Sequence, residues 1–154
     1  MAKEETRMLA KQFKNAIVRD VSSLNGTQFE DFCQVLLRLI LNDDNILHKG
    51  CNLNGKPVSC AVDIKTEDCK IVGQSGTDTD YFSKANLEKP MGDIHSTEKN
   101  NPLCEVLYLF SNQRATDAQH TDLITKINAE TPSFEVKIYD SEKMEQWNMS
   151  EIQH

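Results

Sequence analysis

Two side chains near the middle of the sequence are of the types that hold a hard metal ion. Asp63 lies in a run that alternates apolar and polar residues, and Gln74 follows eleven residues later. A turn centred on Asp68-Cys69 would pair residue 63 directly with residue 74 on neighbouring antiparallel strands, with both side chains on one face. Because Mg²⁺ and Mn²⁺ prefer oxygen ligands, this spacing indicates a metal site. The alternative interpretation is a surface aspartate near a strand end.

Glu30 is a further acidic candidate, and it has a competing structural explanation. Thr27-x-x-Glu30 matches a capping box, in which two side chains bind backbone N–H groups at the start of a helix. A glutamate in that role needs no catalytic function.

The elements that must position these residues follow from hydrophobic periodicity and turn signals. Asn54-Gly55 predicts a hairpin, and the apolar run at 106–110 predicts a buried strand. The predicted helices cover about 3–21, 27–41, 86–99, 116–129 and a last one beginning at Ser141, and the predicted strands cover about 46–53, 56–65, 70–75, 106–110 and 134–139. This order predicts a single α/β domain with a mixed sheet flanked by helices.

Charge and composition narrow the function classes. The chain has 154 residues and a net charge of -7, whereas a free-standing nucleic-acid binder usually presents a basic face. A DNA substrate would therefore need a local basic patch or a partner that holds it. The longest apolar stretch, 35–41, contains Arg38, and the N-terminus lacks a signal-peptide pattern. We therefore expect a cytoplasmic protein with no membrane partner.

The other residues capable of chemistry form no recognisable site. The five cysteines include no CxxC pair, which favours reduced thiols over zinc ligands or disulfides. The four histidines share no HxH or HExxH spacing, and no GxSxG motif is present. The segment 73–78 lacks the glycine pattern of a phosphate-binding loop, and Asp78-Thr-Asp80 lacks an EF-hand context.

Three short motifs and the order of elements resemble the PD-(D/E)XK, or restriction-endonuclease-like, superfamily, and within it the Mrr-like nuclease domains. Residues 29–37 (FEDFCQVLL) resemble the first core helix of that family, where a glutamate faces the active site. Val62-Asp63 resembles its metal-binding aspartate, and residues 72–75 (VGQS) stand where the family has (E/Q)xK. Residues 106–118 and 134–147 resemble its later strands and closing helix.

The resemblance implies a restriction-endonuclease-like α-β-β-β-α-β core within one domain of residues 1–154, with an N-terminal helix in 1–21 and the core in 22–148. It further implies a Mg²⁺- or Mn²⁺-dependent endodeoxyribonuclease in which Asp63, Glu30 and Gln74 hold the metal. The family's lysine would fall at Gly76, so the amine is expected from Lys84 or Lys89 instead.

The resemblance also implies a biological setting. Domains of this kind act on DNA as effectors in prokaryotic anti-phage defence, as homo-oligomers or attached to a larger NTPase or sensor. Because the lysine is missing and the chain is acidic, a second hypothesis is a catalytically inactive nuclease-like domain that serves dimerisation or binds protein or nucleic acid. A third is an unrelated α/β binding module with a similar order of elements.

Overall fold

The computed structural model describes residues 21–42, 46–48 and 64–151, and these form a mixed sheet with helices on both faces. The helices are α1 (Gly26–Leu41), α2 (Glu88–Asn100), α3 (Asp117–Glu130) and α4 (Ser141–Glu151), with short 3-10 turns at Val21–Ser23 and Ala85–Leu87. The strands are β1 (Ile46–His48), β2 (Ile64–Thr66), β3 (Ile71–Gly76), β4 (Val106–Ser111) and β5 (Glu135–Tyr139). The helix predicted at 3–21 and the predicted hairpin turn Asn54-Gly55 lie outside the described residues, apart from position 21.

The five strands lie in sequence order, β1-β2-β3-β4-β5. The pairs β1–β2 and β2–β3 are antiparallel, whereas β3–β4 and β4–β5 are parallel. Each parallel pair is joined through one helix, as parallel strands require. The predicted α/β class and the mixed sheet are confirmed.

Two hydrophobic cores lie on opposite faces of the sheet. One core joins α2 and α3 to alternate residues of β3, β4 and β5, including Val72 and Leu107. The other joins α1 and α4 to the intervening residues, including Ile64, Tyr108 and Phe110. We call these the α2/α3 face and the α1/α4 face. The two-residue alternation of a strand therefore decides in which layer each candidate side chain lies.

The turn between β2 and β3 fixes the register of those strands. The Thr66 hydroxyl donates to Asp68 Oδ1 at 2.7 Å, and the backbone N–H of Lys70 donates to the same oxygen at 3.1 Å. These hydrogen bonds lower the pKa of Asp68, with the Thr66 bond the largest cause. Cys69 takes the left-handed conformation with φ 63° that a tight turn needs. Ile64 consequently lies opposite Gly73 and Lys65 opposite Val72, which is the register predicted from the sequence.

The start of α1 corrects one prediction. Asn25, rather than Thr27, is the N-cap, and its side chain accepts from the Gln28 backbone N–H while the Gln28 side chain accepts from Asn25. The predicted capping box Thr27-x-x-Glu30 is therefore wrong, because the helix begins two residues earlier than that pattern requires. Asn42, with φ 51°, ends the helix at the predicted position.

Three cysteines in the described segments, Cys33, Cys69 and Cys104, are free thiols, as expected. Cys51 and Cys60 lie outside those segments. Burial raises the pKa of the Cys104 thiol to about 11. Among the described helices, none combines the length and the apolar character that crossing a membrane requires.

Candidate functional site

Gln74 lies on β3 with its side chain toward α2. It is only 7% exposed, and its Nε2 donates to the Thr97 hydroxyl at 3.3 Å. Thr97 is fully buried, and its hydroxyl donates to the backbone carbonyl of Asp93, one helical turn earlier, at 2.8 Å. Gln74 is thus a buried polar residue that is anchored on one side of its amide group.

Asp63 lies outside the described residues, which begin again at Ile64. Its predicted pairing with Gln74 therefore stays a prediction. The neighbouring pairs, Ile64 with Gly73 and Lys65 with Val72, follow the register on which that prediction depends.

Gly76 is the position at which the family's lysine would fall, and the ring of Tyr81 covers it. A Cβ built on Gly76 would lie 2.4 Å from Tyr81 Cε2 and 2.6 Å from Cδ2. Tyr81 is 2% exposed, and its hydroxyl donates to Asp93 Oδ2 at 2.8 Å. The ring fills the space into which a side chain at position 76 would project, so this conformation has no room for a lysine there.

Lys89, one of the two predicted substitutes for that lysine, is held by two carboxylates. Its Nζ lies 2.8 Å from Asp78 Oδ2 and 3.2 Å from Asp80 Oδ1. The hydrogen bonds to Asp78 and then to Asp80 raise the pKa of Lys89. Its ammonium is therefore the cation that neutralises the Asp78-Thr-Asp80 loop, and a role at a phosphate would require it to leave those partners.

Lys84, the other predicted substitute, lies just before the 3-10 turn that precedes α2. Its Nζ is 4.0 Å from Glu88 Oε2, and both side chains are largely exposed. It also lines a cleft of about 490 Å³ between residues 82–87 and the outer side of α3. Asn86 and Leu87, which share that cleft, both have positive φ.

Glu30 lies in the first half of α1, partly exposed, on the helix that covers the α1/α4 face. Gln74 faces the opposite layer, and Thr97 is its only side-chain hydrogen-bond partner among the described residues. The structure therefore does not bring Glu30 into contact with Gln74. Since Asn25 and Gln28 form the cap, capping does not explain Glu30, and its metal-binding role stays a prediction.

Lys65 is an amine on the same sheet face as Gln74. It is partly buried and lies opposite Val72, which belongs to the α2/α3 core. Gln74 is two residues beyond Val72, so the two side chains lie diagonally across neighbouring strands, within reach of long side chains. Two further basic residues could have contributed to a DNA-binding patch: Arg114 pairs with Glu142 at 3.1 Å, and Lys56 lies outside the described residues.

Sequence reasoning missed two buried residues of this region, Thr97, which binds Gln74, and Tyr81, which covers Gly76. Thr97 continues the inward stripe of α2 three residues after Ile94, so extending the helical periodicity would have found it. Tyr81 carries no such signal, because it reaches Gly76 through an irregular loop. Within the ranges that the structure describes, no three His, Cys, Asp or Glu side chains come together as a metal site.

Comparisons with protein-family models, with curated proteins and with solved structures give no match to this chain.

Proposed function

We propose that this chain is a metal-dependent DNA endonuclease domain with a restriction-endonuclease-like fold of the Mrr type. The supporting observation is the topology. Starting at α1, the elements run α-β-β-β-α-β, three antiparallel strands lead into parallel ones, and helices lie on both faces. This is the arrangement that the resemblance implies. The pairing of β2 with β3 also follows the register that the family's aspartate and glutamine positions require.

The proposed metal ligands are Asp63 and Gln74. The described pairs are Ile64 with Gly73 and Lys65 with Val72. We propose that the same register holds for one more residue, which would put Asp63 opposite Gln74 on the α2/α3 face. A carboxylate and a carboxamide oxygen fit Mg²⁺ by donor chemistry. That ion usually keeps several waters and takes only one or two protein carboxylates together with substrate phosphate oxygens.

Bound Mg²⁺ supplies the Lewis acidity that polarises the scissile phosphate and lowers the pKa of an attacking water. The Asp63 carboxylate would balance part of the positive charge of the ion. The Gln74 amide would give the ion a neutral oxygen ligand, which adds no further negative charge beside the DNA backbone. Lys65 lies on the same face of the sheet, and its ammonium group would stabilise the negative charge that develops on the phosphate. Lys84 and Lys89 remain the alternatives predicted from the sequence.

The acidity of the chain bears on how DNA is held. With a net charge of -7, the isolated domain gains little affinity from counterion release. We propose that a homo-oligomer or an attached NTPase or sensor brings DNA to the site. Activity should therefore rise when two copies are tethered.

Nicking of supercoiled plasmid tests this function. The domain is assayed at high concentration and as a tethered dimer, with Mg²⁺, Mn²⁺ or EDTA. We expect metal-dependent nicking that Asp63→Asn abolishes and that Asp122→Asn, a matched change of an exposed aspartate on α3, leaves intact. No nicking by the folded, tethered wild type, or equal nicking by the Asp63→Asn protein, would overturn the proposal.

The Tyr81 ring over Gly76 favours a second candidate, a nuclease-like domain without catalytic activity that mediates dimerisation or binds protein or nucleic acid. A buried aromatic ring fills the space of the family's lysine, so it contributes to packing but supplies no charge for catalysis. This candidate predicts no nicking and no Mg²⁺ binding, together with self-association that is unchanged in the Asp63→Asn protein. Sedimentation velocity on both proteins measures that association.

A further inference from the structure

We propose that two copies of this chain associate through β5, whose outer edge pairs antiparallel with β5 of the second copy about a two-fold axis at Val136. The inference rests on the homo-oligomer of the proposed function and deepens it by naming the surface that forms it, and it does not depend on a metal site. Among the described strands β4 is the only neighbour of β5, so the outer edge of β5 carries no strand from that part of the chain.

The backbone of β5 presents hydrogen-bonding groups to this edge. The Glu135 N–H donates to the Glu105 carbonyl at 3.0 Å, on the side of β4. Because the backbone groups of successive strand residues point to alternate sides, those of Lys137 also face β4, whereas those of Val136 and Ile138 face outward. An outward row of this kind is a template for another strand. A second β5 can pair with it only in registers that set outward-facing residues opposite each other.

Charge selects one of these registers. A two-fold axis at Val136 sets Glu135 opposite Lys137 of the second copy, and symmetry repeats this pair. An axis at Glu135 or at Lys137 would set like charges opposite each other, which is destabilising, and an axis at Ile138 sets no opposite charges directly across from each other. Neither Glu135 nor Lys137 forms an ion pair with another described residue, so the contact with the second copy displaces none there.

The side chains of β5 are compatible with this pairing on both faces. A lysine on an edge strand usually deters association, but here the Lys137 Nζ lies over the Tyr108 ring of β4, 5.7 Å from its centroid, and leaves the outer backbone accessible. On the other face, Val136 is only partly buried against the α2/α3 core. The axis sets it beside Val136 of the second copy, so the apolar layer continues from one protomer to the next.

The described chain also leaves space beside the end of β5. A cleft of about 260 Å³ is lined by Ile138 of β5, by His120 of α3 and by Lys143 of α4. Because α3 and α4 lie on opposite faces of the sheet, a cleft that both helices line lies beyond the limit of the sheet. An approaching strand therefore meets an opening there, and no described helix fills it.

Sedimentation velocity over a wide range of protein concentration tests the surface on the full chain without added metal. The wild type should form a reversible dimer. Glu135→Lys and Lys137→Glu each set like charges opposite each other twice, so each should weaken dimerisation by about tenfold or more. The matched controls Glu98→Lys and Lys126→Glu make the same charge changes at exposed positions of α2 and α3, and they should leave dimerisation unchanged.

Mixing the two β5 variants gives the most specific readout. In a mixed dimer of the Glu135→Lys and Lys137→Glu proteins, opposite charges again face each other at both positions. We expect this mixed dimer to form with an affinity within about threefold of wild type, although each variant alone dissociates. In wild-type protein of which half the molecules carry ¹³C, an intermolecular contact should join the Hα atoms of Glu135 and Lys137, because residues of a non-hydrogen-bonded antiparallel pair approach most closely.

A wild type that stays monomeric, a mixture that does not dimerise, or an intermolecular contact between two Lys137 Hα atoms would overturn this inference. Urea unfolding checks that the variants are folded, and if Lys137→Glu is not, Glu135→Lys and the wild-type contact decide. Metal-dependent nicking by a monomeric wild type would overturn the surface and leave the nuclease standing. A dimer with the expected contact and no nicking would support the surface and overturn the nuclease.

Discussion

Gly76→Ala gives the sharpest prediction about the missing lysine. The new Cβ would lie 2.4 Å and 2.6 Å from two carbons of the Tyr81 ring, closer than nonbonded carbon atoms approach one another. Tyr81 is 2% exposed and hydrogen-bonded to Asp93, so the ring cannot swing aside freely. Overpacking of this kind costs about 1–3 kcal/mol, and we expect Gly76→Ala to lower the free energy of unfolding by that amount.

Urea denaturation of matched variants provides the assay. A Cβ at Gly92, an exposed residue within α2, meets nothing within 4 Å. Gly92→Ala should therefore stabilise the protein by about 0.5–1 kcal/mol, through helix propensity alone. In a Tyr81→Ala background the penalty of Gly76→Ala should vanish, giving a coupling energy of about 1–3 kcal/mol. A change of less than about 0.5 kcal/mol for Gly76→Ala in the wild-type background would refute the packing argument.

The same clash limits how the lysine could be restored. Gly76→Lys should lose at least as much stability as Gly76→Ala, because its side chain starts from the same blocked Cβ position. It should therefore raise nicking only when Tyr81 is also replaced by a smaller residue. Higher nicking by Gly76→Lys with Tyr81 intact would show that the ring moves.

Three further changes test the local structure. Asn25→Ala should cost about 0.5–2 kcal/mol in urea unfolding, whereas Thr27→Ala should stay within about 0.5 kcal/mol; the reverse order would contradict the cap. The pKa of Cys104 is about 11 in the folded protein, above its value in the unfolded chain. The contribution of Cys104 to the free energy of unfolding is therefore complete below about pH 8.5 and is lost as the pH rises toward 11, because the thiol then ionises more readily in the unfolded chain. The stability difference between the wild-type and Cys104→Ala proteins should shrink over that range, and a constant difference would contradict it. Lys89→Met should cause a small loss of stability that 1 M NaCl abolishes, because the two ion pairs are screened, and a salt-independent loss would contradict their role.

The register of β2 and β3 could be predicted because two independent signals agree. Alternation of apolar residues sets which side chains share a face, and the Asp68-Cys69 turn sets the pairing. The N-cap residue of α1, in contrast, could not be predicted from the sequence. Asn25-x-x-Gln28 and Thr27-x-x-Glu30 both fit a capping box, and only the packing of the helix decides where it starts.

The position of the Lys89 amine, and the sheet face on which each candidate residue lies, depend on tertiary contacts that sequence spacing does not encode. Lys89 is drawn to Asp78 and Asp80 by the path of an irregular loop. The placement of Glu30 and Gln74 in opposite layers depends on which sheet face α1 covers. Thr97, by contrast, was within reach of the helical periodicity.

Mapping where a paramagnetic cation binds tests the central claim most directly. Mn²⁺ titrated into ¹⁵N-labelled wild-type protein should broaden first the amide resonances nearest the β2–β3 pair, those of residues 64–65 and 73–75 together with Thr97. Asp63→Asn should remove that broadening, while Asp122→Asn should leave it unchanged. Broadening centred on another part of the molecule, or unaltered by Asp63→Asn, would contradict a metal site at Asp63 and Gln74.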